Sequence, residues 1–426
     1  MQSTINKDSF HSLVHKAVQS IQRQESGMSV KYAARMEHAP TIALVNLLIE
    51  DAIEAEASDI HLEPSDTFVR IRLRIDGDLC EMHEPLPLAV HAFLVSRIKI
   101  MSNLDISEHR LPQDGRILYS YQDREIDIRV STMPVLDGET VVLRLLNISK
   151  RFLEISELSF SAEDEKQFRS LCHKPNGIFL TTGPVNSGKT TTLYAALNEL
   201  NSISQNIITL EDPVEYRISG INQIQVNAKA NLTFAVGLRS ILRLDPDVIM
   251  VGEIRDEETA NLAIRASLTG HLLFTTLHAA DSIHAIFRLL EMGIPAYLLA
   301  AALSGILSQR LVKRICPHCR KSYTVSKDSS EADFLGNLYH ENISLFHGQG
   351  CTACRGTGYL GRLAVYELLP IGDTLRQAIF DRQGIQTMEA IARETGMKTL
   401  QEDGLHKVLE GKTTLHEIRR VLYGIF

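Results

Sequence analysis

The chain has 426 residues, 44% of them hydrophobic, and a formal net charge of −8. This length can bury several hydrophobic cores, so we expect a multidomain globular protein. The acidic balance argues against nucleic acid or an acidic membrane as a partner held by bulk charge, because such binding needs clustered lysine and arginine. No apolar run approaches the ~18 residues of a membrane-spanning helix. We therefore expect a cytoplasmic protein whose contact with any membrane goes through partners.

The first third of the chain predicts an antiparallel α+β domain. A polar stretch is followed by a helix that starts at Thr41, a candidate N-cap residue after Pro40. Residues 69–75 alternate apolar side chains with arginine and meet Asp76-Gly77, which is a strong hairpin signal. The same patterns predict a helix over 88–101 and strands over 116–121, 125–130 and 141–146.

A glycine-rich segment in the middle of the chain matches the G-x-x-x-x-G-K-[ST] pattern of a nucleotide-binding P-loop. Its glycines let the backbone curl so that N–H groups point at phosphate oxygens, while Lys189 supplies a cation and Thr190 a hydroxyl for Mg²⁺. A predicted buried strand over 178–182 precedes the segment and a predicted helix over 190–200 follows it, as a P-loop requires. The predicted nucleotide-binding residues are Gly183, Pro184, Val185, Asn186, Ser187, Gly188, Lys189, Thr190 and Thr191.

Two further predicted strands end in acidic residues. The run 206–210 is followed by Glu211 and Glu215, and the run 248–251 is followed by Glu253. Because ligands of open parallel sheets bind at the carboxyl ends of strands, both acidic groups should converge on the nucleotide. Glu253 occupies the place of the Walker-B acid, which holds Mg²⁺ through water in P-loop enzymes.

A third predicted buried strand, residues 272–277, is flanked by His271 and His278. Spacing alone does not decide whether these histidines are structural, sense the γ-phosphate or bridge subunits. Asp256, just after the second acidic group, is predicted to cap the helix that begins there.

The six cysteines divide into two close pairs and two single residues. The pairs form a C-x-x-C…C-x-x-C pattern, in which four thiolates satisfy tetrahedral Zn²⁺ and leave no open position, so we predict a structural rather than catalytic metal site. A redox dithiol would need one pair in a thioredoxin-like setting. Cys80 and Cys172 are predicted to be small buried apolar residues. The predicted zinc ligands are Cys316, Cys319, Cys351 and Cys354.

Together, the P-loop and the segments 211–215, 233–256 and 269–278 resemble those of the ATPases that drive type II secretion and type IV pilus assembly. Residues 57–64 and 110–116 are similar to two signatures of that family's N-terminal domain. The resemblance implies an α/β fold: a RecA-like P-loop NTPase core with an N-terminal α+β (PAS-like) domain, a four-cysteine zinc insertion and a C-terminal helical region. We expect the last region to form a small bundle.

The resemblance and the patterns together predict five segments along the chain. They are a short N-terminal extension at 1–37, the α+β domain at 38–150, the ATPase core at 151–310, the tetracysteine insertion with the return to the core at 311–370, and the helical region at 371–426.

Residue roles follow from the same resemblance. It implies that Glu215 or Glu211 orients or deprotonates the attacking water, that Glu253 and Thr190 hold Mg²⁺, and that His278 contacts the γ-phosphate region. Within the α/β core, Lys189 is the only side chain that clearly balances the negative charge of a triphosphate. Arginines of the N-terminal domain should therefore complete the site as fingers when the domains close, and the candidates are Arg110, Arg116 and Arg129.

The resemblance implies a Mg²⁺-dependent ATPase that forms a homo-hexamer and moves an inner-membrane platform protein, so the chain should be cytoplasmic and peripheral on the inner membrane. A nucleic-acid motor is an alternative, opposed by the acidic balance and by the lack of an aromatic, basic groove. A non-hydrolysing scaffold is another, suggested by Asn186, which stands where relatives usually have glycine. The presence of Lys189, Glu215 and Glu253 opposes the scaffold, and asparagine tolerates left-handed backbone geometry better than other non-glycine residues.

Overall fold

The computed structural model describes residues 7–25, 39–81, 84–146 and 154–424. The chain divides into two compact units, Met1–Arg151 and Phe152–Phe426, which are described separately. The junction predicted at residues 150 and 151, and the parts of the N-terminal extension over 1–6 and 26–37, lie outside the described residues.

The first unit is an antiparallel sheet with helices. Its strand order is β3-β2-β1-β7-β6-β5, with β4 paired to β2. The helices are α1 Lys7–Glu25, α2 Ala39–Glu54 and α3 His91–Met101, with a 3-10 turn at Leu88–Val90. The strands are β1 Asp59–Pro64, β2 Phe68–Ile75, β3 Asp78–Glu81, β4 Leu86–Pro87, β5 Gln113–Tyr121, β6 Arg124–Val135 and β7 Gly138–Leu146.

The alternating pattern of the second strand correctly predicted one buried face. Val69, Ile71 and Leu73 are all buried and join the core beneath α2 and α3, whereas the arginines between them lie on the outer face. The first helix also belongs to this core, because Phe10 and Ala17 are buried in it.

The predicted start of the second helix is wrong. The helix begins at Ala39, and Thr41 lies inside it as a buried residue rather than capping it. Proline is accepted in the first turn of a helix because its missing N–H has no intrahelical acceptor there, so Pro40 did not mark the boundary.

The second unit contains a seven-stranded sheet and a two-stranded one. Its strands are β8 Gly177–Thr182, β9 Ile207–Glu211, β10 Asn222–Gln225, β11 Val248–Val251, β12 Leu272–Leu277, β13 Leu303–Ile315, β14 Arg320–Thr324, β15 Ser344–Gly348 and β16 Tyr359–Pro370. Its helices are α4 Ala162–Cys172, α5 Lys189–Leu200, α6 Phe234–Ile241, α7 Glu257–Leu268, α8 Ser282–Glu291, α9 Ala296–Ala302, α10 Ser330–Leu335, α11 Asp373–Phe380, α12 Ile385–Glu394, α13 Leu400–Leu409 and α14 Leu415–Tyr423. Short 3-10 turns occur at Ile155–Glu157, Ala228–Ala230 and Gly336–Leu338.

The large sheet has the strand order β10-β9-β11-β12-β8-β13-β16. All neighbouring pairs are parallel except the last, in which β16 runs antiparallel to β13. A hydrophobic core covers each face of this sheet. Leu180 and Leu273 belong to one core, and Phe179 and Phe274 belong to the other. A strand that is buried on both faces reads as a continuous apolar run, which is why the sequence signals were clear here.

The C-terminal helices do not form a separate bundle, contrary to the expectation from their spacing. Helices α11 and α12 contribute Leu375 and Met388 to the core under the parallel sheet. Helices α13 and α14 contribute Val408 and Ile418 to another core that includes Leu345 of the β14–β15 hairpin. Helices α11 and α12 pack against α9 and α8, whereas α13 and α14 pack against β16 and β13. Among the described residues, no helix combines the length and hydropathy needed to cross a bilayer.

Candidate nucleotide site and metal centre

The P-loop connects β8 to α5 with the backbone geometry that its sequence predicts. Gly183, Asn186 and Gly188 have positive φ angles of 151°, 62° and 87°. A Cβ atom on Gly183 would lie 2.6 Å from both the carbonyl oxygen of Gln309 and the Oγ of Ser187, so only glycine fits. The expectation that Asn186 tolerates a left-handed conformation is confirmed, and the loop keeps its curl without a glycine there.

Lys189 is the first residue of α5 and reaches back over the loop. Its Nζ donates hydrogen bonds to the carbonyl oxygens of Gly183 and Pro184, at 2.9 and 2.8 Å. Burial lowers the pKa of Lys189 to about 8, while the nearby charge of Glu253 favours its ammonium form. The Oγ of Ser187 is buried and has no hydrogen-bond partner in the described part of the chain. A curled backbone, a partly buried ammonium and an unused hydroxyl at a helix N-terminus fit a phosphate group.

Glu253 and His278 meet at the carboxyl edge of the parallel sheet. Glu253 follows β11, and one of its carboxylate oxygens accepts a hydrogen bond of 2.5 Å from Arg255. The other oxygen lies 3.7 Å from the Nε2 of His278, which follows β12. The sheet therefore places the predicted Walker-B acid and the predicted histidine side by side.

The two histidines that flank β12 lie at opposite ends of that strand. His271 precedes it, and its Nδ1 lies 2.9 Å from the carbonyl oxygen of Ala266 at the end of α7. That position is at the amino edge of the sheet, away from the P-loop, so His271 contacts the helix–strand connection. Asp256 caps α7 by accepting a hydrogen bond from the backbone N–H of Thr259 at 2.8 Å, which confirms its predicted role.

Glu211 and Glu215 differ sharply in their surroundings. Glu211 is the last residue of β9 and is 2% exposed, and burial raises the pKa of its carboxyl group. Glu215 is half-buried in the irregular segment that follows. The backbone N–H of Gly252 donates a 2.8 Å hydrogen bond to the carbonyl oxygen of Leu210, which holds the ends of β9 and β11 together.

Two polar residues of β13 lie beneath the P-loop and were missed by the sequence analysis. The Nε2 of Gln309 donates a 2.6 Å hydrogen bond to the carbonyl oxygen of Ser187. Arg310 donates to the carbonyl oxygen of Ala280, in the loop after His278. Its charge also disfavours the ammonium form of Lys189. The α/β core thus holds a second cation beside the P-loop, which corrects the expectation that Lys189 stands alone. The only sequence signal was the Gln-Arg pair that follows the largely apolar stretch 297–307.

The candidate arginines of the first unit do not form one group. Arg116 of β5 and Arg129 of β6 are paired across the sheet, and Arg144 of β7 lies opposite Arg129 in the same row. Arg110 lies outside this row, in the loop before β5, where it pairs with Glu108 at 2.9 Å. The sheet therefore collects three arginines, of which Arg144 was not predicted.

The arginines in this row differ in their partners. Arg116 makes a two-pronged pair with Asp127, at 2.7 and 2.8 Å. The Nε of Arg129 is buried with no hydrogen-bond partner within the described ranges. Arg144 is paired with Asp59 at 3.0 Å, so Arg129 is the arginine of this row that has no ion pair among the described residues.

The four paired cysteines form one compact cluster. Their sulfur atoms all lie within 4.8 Å of one another. Three of the Sγ–Sγ distances are 3.8, 3.8 and 3.7 Å, close to the ~3.8 Å edge of a tetrahedron around an ion bonded to sulfur at ~2.3 Å. Backbone N–H groups of Cys351 and Gly358 donate to the Sγ of Cys354 at 3.1 and 3.3 Å. Burial opposes a thiolate here, but these hydrogen bonds lower the pKa of Cys354 to about 6. The cluster fits a metal ion.

The remaining cysteines lie outside the cluster. Cys172 is buried in the core beneath β8, as predicted, whereas Cys80 on β3 is only half-buried.

A parallel sheet with a P-loop after one strand and acidic residues after two others defines a RecA-like P-loop NTPase core. The chain belongs to the Type II/IV secretion system protein family, whose profile matches residues 34–420. The Type II secretion system protein E of Xanthomonas campestris pv. campestris is 48% identical over 383 residues, which are 90% of this chain and 67% of that protein.

Two further similar proteins are named for roles in pili. The type IV pilus assembly ATPase PilB of Thermus thermophilus is 44% identical over 396 residues, or 93% of this chain and 44% of PilB. The crystal structure of the pilus retraction motor PilT with bound ADP has a TM-score of 0.59 and 27% identity, and the match covers 87% of this chain and 94% of PilT. The predicted fold and family are thereby confirmed.

Proposed function

We propose that ATP hydrolysis at the P-loop powers assembly of type IV pili or of a type II secretion pseudopilus, through an inner-membrane platform protein. The observation that carries this proposal is the meeting of Lys189, Glu253 and His278 at one edge of a secretion-family sheet. The enzyme is an ATPase, as its relatives are named. Neither a nucleic-acid motor nor a non-hydrolysing scaffold explains this combination of site and family.

The residues at the sheet edge have complementary roles in this proposal. Lys189 and the loop N–H groups bind the phosphates of ATP, and Glu215 or Glu211 orients the attacking water. Thr190 and Glu253 would hold Mg²⁺, which supplies positive charge to the transferred phosphoryl group when bound. His278, beside Glu253, contacts the γ-phosphate region.

Arginines of the first unit would supply the remaining cations. We propose that Arg110, Arg116 and Arg129 reach the triphosphate when the domains close, so that closure depends on the γ-phosphate. Arg129 supports this role, because its buried Nε has no hydrogen-bond partner among the described residues. Arg116 and Arg144 each have an aspartate partner, which a phosphate would have to replace. In a homo-hexamer on the inner membrane, repeated closure would move the platform protein.

The physiological role can be tested in the bacterium that carries this gene. Deletion of the gene is expected to stop filament assembly or exoprotein release, because no other source drives the platform in this proposal. The full chain supplied in trans should restore the process, and Lys189→Ala at equal abundance should not. Immunoblots of sheared filaments and of culture supernatant measure both. Restoration by Lys189→Ala would show that hydrolysis at this loop does not power assembly.

For the cysteine cluster we propose zinc, held by Cys316, Cys319, Cys351 and Cys354. Four thiolates leave no open coordination position, so the ion is structural and orders the hairpin of β14 and β15.

Elemental analysis of the purified protein should find one Zn²⁺ per chain. The double variant Cys316→Ser, Cys319→Ser should lose it and become sensitive to proteolysis between β14 and β16, because metal binding contributes ~10 kcal/mol or more to folding of such sites. Cys80→Ser is the matched control and should retain the metal. Less than about a tenth of an equivalent in protein prepared without chelator contradicts the zinc proposal, since a site of this affinity should be nearly full.

A further inference from the structure

Glu211 has little capacity left for a water molecule. One oxygen of its carboxylate accepts hydrogen bonds from the Oγ1 of Thr209 at 2.5 Å and from the Nε2 of Gln223 at 3.3 Å. The other accepts a short hydrogen bond from the hydroxyl of Tyr194. With its side chain 2% exposed, this carboxylate belongs to a buried polar network rather than to an open site.

The same network holds the segment that carries Glu215. The hydroxyl of Tyr194 accepts a 3.3 Å hydrogen bond from the backbone N–H of Glu215. The ring of Tyr194 also packs edge-on against that of Tyr216, with centroids 4.6 Å apart. Tyr194 belongs to α5, the helix that begins at the P-loop, so one hydroxyl connects this helix to the backbone of Glu215.

Gln223 of β10 fixes the other side of this segment. Its Nε2 donates to the carbonyl oxygen of Tyr216 at 3.1 Å, and its Oε1 accepts from the backbone N–H of Ile218 at 2.7 Å. Residues 212–218 have no helix or strand of their own. Their position relative to the P-loop therefore depends on side chains of α5, β9 and β10.

We propose that Tyr194 and Glu211 are positioning residues, which hold the backbone at Glu215 in register with the P-loop so that Glu215 alone orients the attacking water. This inference rests on the proposed ATPase function and decides between the two carboxylates that the sequence could not separate. A displacement of a catalytic group by about 1 Å can cost ~10²-fold in rate, so loss of one tethering hydrogen bond should be measurable in turnover.

The test compares single and double variants of the full chain in a steady-state phosphate-release assay. Glu215→Gln should lower kcat at least ~10²-fold, as expected for loss of a general base. Tyr194→Phe and Glu211→Gln should each lower kcat about ten-fold, with KM for ATP changed less than about two-fold, because the effect falls on the transition state. Tyr194→Phe combined with Glu215→Gln should be no slower than Glu215→Gln alone, since the tyrosine acts through Glu215.

Tyr323→Phe is the matched control, because it removes a 2.7 Å tyrosine–glutamate hydrogen bond to Glu331 in the cysteine insertion. This control should keep the parent kcat. The midpoint temperature of thermal unfolding of Tyr194→Phe should lie within a few degrees of that of the control. A kcat near the parent value for Tyr194→Phe overturns the inference. It is also overturned if the two losses of kcat multiply in the double variant, or if Glu211→Gln lowers kcat as much as Glu215→Gln does. A parent-like rate for Glu215→Gln overturns instead the assignment of the base within the proposed function.

Discussion

Replacement of Lys189 by alanine is expected to lower ATP turnover to below about 1% of the parent rate, since loss of one preorganised donor to transition-state charge costs ~10² to 10³-fold. The ammonium group lies over the P-loop on the carbonyl oxygens of Gly183 and Pro184. Below its pKa of about 8 it is charged and can bind the β- and γ-phosphates. Arg310 lies nearby, but its guanidinium already donates to the carbonyl oxygens of Gln309 and Ala280. It therefore does not replace the ammonium group of Lys189.

Phosphate release by purified variants measures this effect. Lys174→Ala is the matched control, because Lys174 is also partly buried, with its Nζ 3.3 Å from the carbonyl oxygen of Ser304, far along β8 from the loop. It should keep the parent rate. Glu253→Gln should still bind ATP while turning over slowly, since it removes charge from the Mg²⁺ site and leaves the loop intact. Turnover near the parent rate for Lys189→Ala would refute the ATPase site itself.

The triple variant Arg110→Ala, Arg116→Ala, Arg129→Ala is expected to lower turnover at least ~10²-fold while ADP affinity stays nearly unchanged. Arginine fingers act on charge that develops in the transition state, and ADP lacks the γ-phosphate that would draw them in. Fluorescent-ADP titration and phosphate release measure the two quantities. Unchanged hydrolysis in the triple variant would mean that these arginines do not couple ATP to domain closure.

The structure also ranks the single variants. Arg116 must give up a two-pronged pair with Asp127 before it can bind phosphate, and Arg110 must leave Glu108. Arg129 has no ion-pair partner in the described ranges, so Arg129→Ala should have the largest effect. Arg70→Ala is the matched control, because Arg70 is a half-exposed arginine of β2 paired with Glu81 at 3.3 Å. It should leave turnover unchanged.

Features encoded by neighbouring residues could be predicted from the sequence. The P-loop is one, because its curl depends on the backbone freedom of Gly183, Asn186 and Gly188, which are close in the chain. The buried face of β2 is another, because alternation along a strand fixes which side chains share a face. The cysteine cluster followed from pair spacing, since four thiolates must meet around one ion to be satisfied.

The features of the site that the sequence did not predict depend on contacts between distant parts of the chain. Gln309 reaches Ser187 across 122 positions, and nothing local in β13 indicates that its polar pair lies beneath the P-loop. His271 and His278 flank the same apolar run in sequence, but the direction of β12 puts them at opposite edges of the sheet.

The carboxylates illustrate the same limit most clearly. Glu211 and Glu215 are four positions apart and chemically identical, yet Tyr194 and Gln223 bury one of them in a hydrogen-bond network and leave the other in an irregular segment. The sequence by itself determined which residue types gather at the carboxyl edge of the parallel sheet. Only the tertiary structure decided what each of them faces, because burial and hydrogen-bond partners are set by whichever distant side chains the sheet brings alongside.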